Sequence, residues 1–487
     1  MRFKTLEHAI AHFAAVTPDK VCLIEAETGK QCTYREFWKQ ILVFSSNLKA
    51  CGLQKGDRAV VRVTQSIDTL IAAFGIHMAG GIYVPIAQKI GEQRILELLD
   101  HFDARFYISV SPVDCDCVYI DINTVKDAGD YEEDVTFPDP EDVSDIFFTT
   151  GTTGLPKGVM RSFGGYCAAA EQWSGVMEFT HDDVFMSRSS QNLVGGIHSL
   201  WRSFLVGAIY IICGGTFFLK NFFQAIDKYG VTAISLRPAE LSMLLNAEDE
   251  IKRYRKKISV LILKSAATNI RDMQKIKKLL PDTRIFSNYS ATEALSICSY
   301  EISACDIVPL CIGKPCKGTE VRIVDEDGKF IENSSYQNPG QIICRTTSVM
   351  KGYWKNSELT ASVLKDLWLT LSDVGYMNDE GFVFLMGRRD DVINSGGYKI
   401  APGEIEEITL EIDGVEECVC VPIPDAVMGS VPKLFVVMRK GSEFSAKKIF
   451  EHLALKLEAY KLPRTIENID VLPRSEDNMK VKRRSLR

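Results

Sequence analysis

Residues Thr149 to Lys157 read "TTGTTGLPK". The stretch carries one charged side chain, its terminal lysine, among threonines, glycines and a proline. Such residues build no core. They build a loop of free backbone N–H groups and small hydroxyls, the surroundings a polyphosphate needs. The Walker pattern GxxxxGK[ST] is not met, because Pro156 stands five places after Gly151 and Lys157 is followed by Gly158. The flanks, "DIFFTT" and "GVMRS", look extended. The loop is therefore expected to join two strands and to hold an anion without the help of a helix dipole.

Working outward, "RAVVRV", "IYVPI", "ARFYISV", "CVYIDI", "AISL", "ISVLILKS" and "TRIFSNYS" read as short buried strands. "SIDTLIAAFGIHMAGG" and "NIRDMQKIKKLLPD" read as helices between them. Alternating strands and helices predict an α/β architecture with mostly parallel sheets. From about Gly318 the texture changes: "TEVRIVDEDGKFI" and "DVGYMNDEGFVFLMGRRDDVI" place Asp-Gly and Glu-Gly turns between alternating strands, which predicts a β-rich subdomain of hairpins. Beyond Asp390 the helix start "APGEIEEITLEI", the strands "ECVCVPI" and "KLFVVMRK" and the helix "SAKKIFEHLALKLEAY" suffice for a small α+β domain. The boundary is placed there, giving a large N-terminal domain of residues 1–389 and a C-terminal domain of residues 390–487.

The bulk numbers agree with a large soluble globular protein of two or more domains. The chain has 487 residues, 46% hydrophobic and 25% charged, with a net charge of -7. That balance argues against a general nucleic-acid binder. The N-terminal "MRFKTLEHAIAHFAAVTPDK" reads as an amphipathic helix and not a signal peptide. "FLVGAIYIICGG" from Phe204 is too short for a membrane span of ~20 residues and reads as a buried helix end leading into a strand. The 14 cysteines include no CxxC pair, only Cys115/Cys117 and Cys418/Cys420. Scattered thiols without a framework fit a reducing cytoplasm.

"TTGTTGLPKG" resembles the signature loop of the adenylate-forming superfamily, which contains acyl- and aryl-CoA synthetases, peptide-synthetase adenylation domains and luciferases. Four further segments resemble that family in its order: "NYSATEA" from Asn288, "LSDVGYMNDEGFVFLMGRRDDVI", "SGGYKIAPGEIEE" and "LPRSEDNMKVKRRSLR". The resemblance implies a large ATP- and acid-binding domain and a small mobile lid. It implies an enzyme that joins a carboxylic acid to ATP, releases pyrophosphate, and passes the acyl group from the adenylate to coenzyme A. A carrier-protein phosphopantetheine acting in trans ends in the same thiol and is the alternative acceptor. A non-catalytic nucleotide-binding relative and a luciferase-like oxygenase are more distant readings.

The chemistry explains the residue types. A carboxylate attacking a phosphate brings two anions together, so fixed positive charge and Mg²⁺ lower the barrier. The resemblance assigns Thr149, Thr150, Gly151, Thr152, Thr153, Gly154 and Lys157 to the β- and γ-phosphates. Tyr289 falls against the adenine, with Ser290 and Ala291 beside it. Thr292 falls at the α-phosphate and Glu293 at the metal. Asp373 suits the ribose, since one carboxylate accepts two hydroxyls, and Arg388 assists. The lysine that would bridge carboxylate and α-phosphate is Lys480 or Lys482. Lys480 is preferred, because Arg483 follows it by three places as in the family pattern. The sequence departs from that pattern at Met479, where glycine is usual, by one residue inserted after Pro473, and at Ser290. Asp390 matches the family hinge. Gly396, Gly397 and Lys399 match a loop that faces the incoming thiol once the lid has turned; the same glycines suit a plain hairpin.

The acyl pocket is less legible. The resemblance puts Asn192 and Gly195 of "SRSSQNLVGGIHSLW" and Ala266 and Ala267 of "KSAATN" along it. An asparagine at 192 disfavours an ordinary α-amino acid and suits a polar aromatic acid, or it simply caps a helix. Arg237 meets an acidic group or points to solvent, the latter being preferred.

Overall fold

The computed structural model describes residues 3–125, 129–131, 135–149, 157–214, 218–264, 268–474 and 481–487. Among the described residues three sheets form, of 14, seven and five strands.

The seven-stranded sheet has Ile82–Ile86 near its middle, buried at all five positions. That uninterrupted apolar run is what a strand covered on both faces requires. Its parallel neighbours are Arg58–Arg62 and Val143–Thr149. Lys157–Ser162 then pairs antiparallel with Val143–Thr149. The helix Ile67–Met78 is buried along almost its whole length and packs against both this sheet and the larger one. A helix apolar all round is explained by that position between two sheets.

The larger sheet has a parallel half. Val21–Glu25, Ile209–Ile212, Val184–Ser187, Ala233–Leu236, Val260–Leu263 and Arg284–Ala291 run side by side in that order. The helix Val194–Val206 ends at Gly207, whose φ of 76° suits a residue without Cβ, and the chain turns into Ile209–Ile212. This is the helix end and strand expected at Phe204. The antiparallel Leu295–Glu301 and Cys311–Pro315 then carry the sheet directly into the β-rich strands Val383–Arg388, Trp368–Met377, Gly340–Thr346 and Thr319–Val324. The hairpin region is thus continuous with the parallel sheet through main-chain hydrogen bonds.

The five-stranded sheet begins at Ile393 and carries the helices Pro402–Leu410 and Ala446–Ala454. Its core gathers Ile393, Ile405, Leu434, Ile449 and Leu453. The second helix stops at Ala454, not at Tyr460 as its periodicity suggests. Tyr460 instead stacks on Tyr398 at 4.4 Å, and buried Lys461 reaches Glu404 at 2.8 Å. Tertiary contacts outweigh the small propensity gain of further helical turns. No helix among the described residues is long and apolar enough to cross a membrane.

Candidate functional site

The phosphate-loop strands end at the cross-strand pair Thr149 and Lys157, so the loop joins two antiparallel strands as expected. Thr150, Gly151, Thr152, Thr153 and Gly154 lie outside the described residues, as do Ala266, Ala267, Met479, Lys480 and the side chain of Thr149. Lys157 Nζ stands 5.6 Å from the centre of the Tyr353 ring.

Tyr289, Ser290 and Ala291 close the strand Arg284–Ala291, whose register shifts between Tyr289 and Ser290. Thr292 and Glu293 form the turn into the next strand. Tyr289 Oη donates to Asp373 Oδ2 at 2.5 Å. Asp373 faces Arg388 directly across the pair of strands Trp368–Met377 and Val383–Arg388. Tyr353 Oη donates to Glu293 Oε1 at 2.9 Å. Burial, reinforced by the neighbouring carboxylate, pushes both phenols well above the ordinary tyrosine range. Both therefore remain protonated donors, and each carboxylate keeps acceptor capacity to spare.

Behind this surface stands Arg161, which the sequence reading missed. Its guanidinium is fully buried and spans three carbonyls: Nη1 donates to Glu293 O at 3.0 Å and Thr292 O at 3.3 Å, and Nη2 to Ser348 O at 2.5 Å. A second buried cation lies deeper. His77 Nδ1 meets Glu7 Oε1 at 2.9 Å and Nε2 meets Asp145 Oδ1 at 3.5 Å. Burial alone lowers the His77 pKa, but the two carboxylates outweigh it and raise it to about 10. An arginine in the otherwise apolar strand "GVMRS" was a readable signal. Nothing in sequence linked Glu7 to His77, 70 residues apart.

At the acyl end, Asn192 Oδ1 accepts a hydrogen bond from Ser190 Oγ and does not cap the helix that follows; Leu193 occupies the cap position, without a side-chain bond. Gly195 faces open space, with nothing within 4 Å of where a Cβ would stand. Arg237 does not point to solvent: its Nη2 pairs with buried Glu240 at 2.6 Å, because that carboxylate needs a cation where water cannot reach it. Lys264, just before Ala266 and Ala267 in sequence, is buried and donates to Ser199 Oγ at 2.7 Å and Ser187 Oγ at 3.2 Å.

Asp390 Oδ2 pairs with Arg484 at 2.7 Å, and Asp391 pairs with Arg487. Arg483 grips both oxygens of Glu406, at 2.5 and 2.8 Å. Three arginines of "KVKRRSLR" are thus engaged within the chain. Gly396 and Gly397 form a two-residue hairpin turn with φ of 57° and 90°, which glycine adopts without strain. Lys399 lies on the following strand. Glu407 Oε2 accepts from Ile270 N at 2.9 Å, tying the helix Pro402–Leu410 to the start of Ile270–Leu279. Burial raises its pKa to about 7.

The model of the AMP-binding enzyme family matches residues 10–354, and that of the AMP-binding enzyme C-terminal domain matches residues 404–477. A long-chain-fatty-acid–CoA ligase of Bacillus subtilis is 27% identical, over 99% of this chain and 94% of its own. A 2-succinylbenzoate–CoA ligase of Bacillus velezensis is 27% identical, over 97% and 96%. The solved structure of an o-succinylbenzoate CoA synthetase of Bacillus subtilis, in complex with its acyl-adenylate, superposes with a TM-score of 0.87 at 24% identity, over 98% and 97%; that likeness is one of fold.

Proposed function

The chain belongs to the AMP-binding enzyme family, and we propose that the acid it activates leaves as a coenzyme A thioester. It is an AMP-forming acid–thiol ligase that uses ATP, Mg²⁺ and coenzyme A. In the first half-reaction a carboxylate oxygen bonds to the α-phosphorus of ATP, and the bond to the departing pyrophosphate breaks. In the second, the thiol sulfur bonds to the acyl carbon, the bond to AMP breaks, and the thiol proton passes to solvent.

The observation that carries this reading is the junction of Tyr289 with Asp373. It brings two segments 84 residues apart to one place, with the Glu293–Tyr353 pair beside the first of them. Tyr289, with Ser290 and Ala291, forms the adenine wall. Asp373 takes the ribose hydroxyls, aided by Arg388. Thr292 bonds the α-phosphate. Lys157 and the loop Thr149–Gly154 hold the phosphates that leave. Lys480 brings a cation between the two reacting anions, and Asp390 is the pivot about which residues 390–487 turn to bring Gly396, Gly397 and Lys399 to the thiol side. Asn192, Gly195, Ala266 and Ala267 line the acid.

Glu293 suits Mg²⁺, which commonly takes one or two carboxylates plus substrate phosphates, not an all-protein cage; among the described residues no cluster of three ligating side chains exists. Bound there, the ion neutralises charge that develops on the phosphates. The free thiols of all 14 cysteines suit a reducing cytoplasm.

The test is pyrophosphate release with a panel of carboxylic acids, followed by thioester analysis with coenzyme A as the only thiol. Release with at least one acid and formation of its CoA thioester support the reading. ATP binding without release by any acid overturns it in favour of a nucleotide-binding relative. Release without a CoA thioester, but with acylation of a carrier protein, overturns the acceptor.

A further inference from the structure

The parallel strands Val184–Ser187, Ala233–Leu236 and Val260–Leu263 end at one edge of the larger sheet. In open α/β sheets, ligands bind outside such carboxyl ends. Here each strand is followed at once by a cation: Arg188, Arg237 and Lys264. Arg188 and Arg237 share one carboxylate, Glu240, at 3.4 and 2.6 Å. Lys264 has none. The residue is 8% exposed, and among the described residues its ammonium donates to neutral oxygens: Ser199 Oγ, Ser187 Oγ and the carbonyl of Gly195 at 3.4 Å. From the helix Val194–Val206 a further buried cation, Arg202, adds to the field, its Nη2 on His198 Nδ1 at 3.2 Å. Among the described residues four cations, Arg188, Arg202, Arg237 and Lys264, therefore face one carboxylate, Glu240, in a region from which water is largely excluded. A buried charge without a counter-charge is costly. Burial, then Arg202, pulls the Lys264 pKa down to about 7. Beside it, Gly195 leaves open space.

We propose that this edge is a subsite for a second acidic group of the substrate, which lies against Lys264 while the other carboxylate is activated. The proposal rests on the ligase reading above. It also bears on substrate length. Leu263 pairs with Ser287 and Lys264 follows it, so Thr292, in the turn past the strand end, lies about four residues further along, at most roughly 13 Å at ~3.3 Å per residue. The two acid groups are therefore separated by a spacer of several atoms and not carried on adjacent carbons.

The experiment compares matched acids, straight-chain and aromatic, each as the monoacid and as the diacid of equal length, by pyrophosphate release. The wild type is expected to favour long diacids by roughly 10- to 100-fold in kcat/KM, the span of one hydrogen bond to a charged group. Lys264→Met is expected to raise KM for the diacid by a similar factor, with kcat and the monoacid little changed. A second readout needs no variant: above pH 7, where Lys264 loses its proton, KM for the diacid rises in the wild type and that for the monoacid does not. Preference for monoacids, or equal effects of pH and Lys264→Met on both members of a pair, overturns the subsite and leaves the ligase standing. Absence of release with every acid overturns both.

Discussion

The guanidinium of Arg161 donates to the backbone carbonyl of Glu293 at 3.0 Å. The strand that begins with Lys157 therefore holds, four residues on, the turn that carries the proposed metal carboxylate. The position of Glu293 is set from beneath by Arg161 and from the side by Tyr353. Two predictions separate those supports.

Arg161→Met removes the donor to the carbonyls of Thr292 and Ser348, leaves the Glu293 carbonyl with Met350 N alone at 2.7 Å, and leaves His77 as the remaining buried cation near Asp145. It is expected to lower stability by ~3 kcal/mol, the usual cost of removing one member of a buried charge network, read as a fall in the midpoint of chemical denaturation. A variant as stable as the wild type would show that the carbonyls find other partners.

Tyr353→Phe removes one hydrogen bond from Glu293 and little volume. Such outer partners of a metal ligand are worth roughly 10- to 100-fold in metal affinity or activity. The Mg²⁺ concentration for half-maximal pyrophosphate release is expected to rise by that order, with the thermal midpoint nearly unchanged. An unchanged Mg²⁺ requirement would remove Glu293 from the metal site.

Lys480→Ala is expected to slow adenylate formation by roughly 10²- to 10³-fold, the scale of losing one preorganised electrostatic group. Thioester formation from supplied acyl-adenylate is expected to be spared. Equal loss in both half-reactions would transfer the role to another residue, Lys482 first.

His77 makes stability depend on alkali. Burial opposes its charge, but Asp145 and Glu7 raise its pKa from 6.5 to about 10. Its contribution is therefore fully present below pH 6.5 and is lost progressively as pH rises towards 10. The thermal midpoint is expected to fall across that window. In His77→Gln the fall should be much shallower; an identical slope would assign it elsewhere.

Glu407 acts in a lower window. Its pKa is raised from 4.5 to about 7 by burial, against the hydrogen bond from Ile270 N, which favours the charged form, so burying this carboxyl between the two helices costs least below pH 4.5 and becomes unfavourable as pH rises towards 7. Glu407→Gln keeps an acceptor for Ile270 N and carries no charge. At pH 8 it is expected to stabilise this arrangement and, where the lid must turn between half-reactions, to lower kcat. A variant with wild-type stability and kcat at pH 8 would show that the contact does not restrain the lid.

Much of the site could be read from the order of residues. The two antiparallel strands that flank "TTGTTGLPK", the Tyr289–Glu293 segment and the Asp373–Arg388 block are local patterns, because each requirement they meet is local: two extended runs either side of a glycine-rich stretch, a strand followed by a turn, two strands that bring an acid opposite a base. The same holds for Ile82–Ile86, where five apolar residues in succession state that both faces are covered. Arg237 was misjudged because its partner, Glu240, is buried only once the helix Pro238–Leu245 packs down. The helix expected to run to Tyr460 stops early because Tyr398 and Glu404 compete for its last residues. Sequence alone thus determined which chemistry this chain can perform, since reactive groups and turns are specified by neighbours along the chain. Tertiary structure decided which charges are paired and which are left open, at Arg161, His77 and Lys264. Burial sets the free energy of a charge, and burial exists only after distant segments have met.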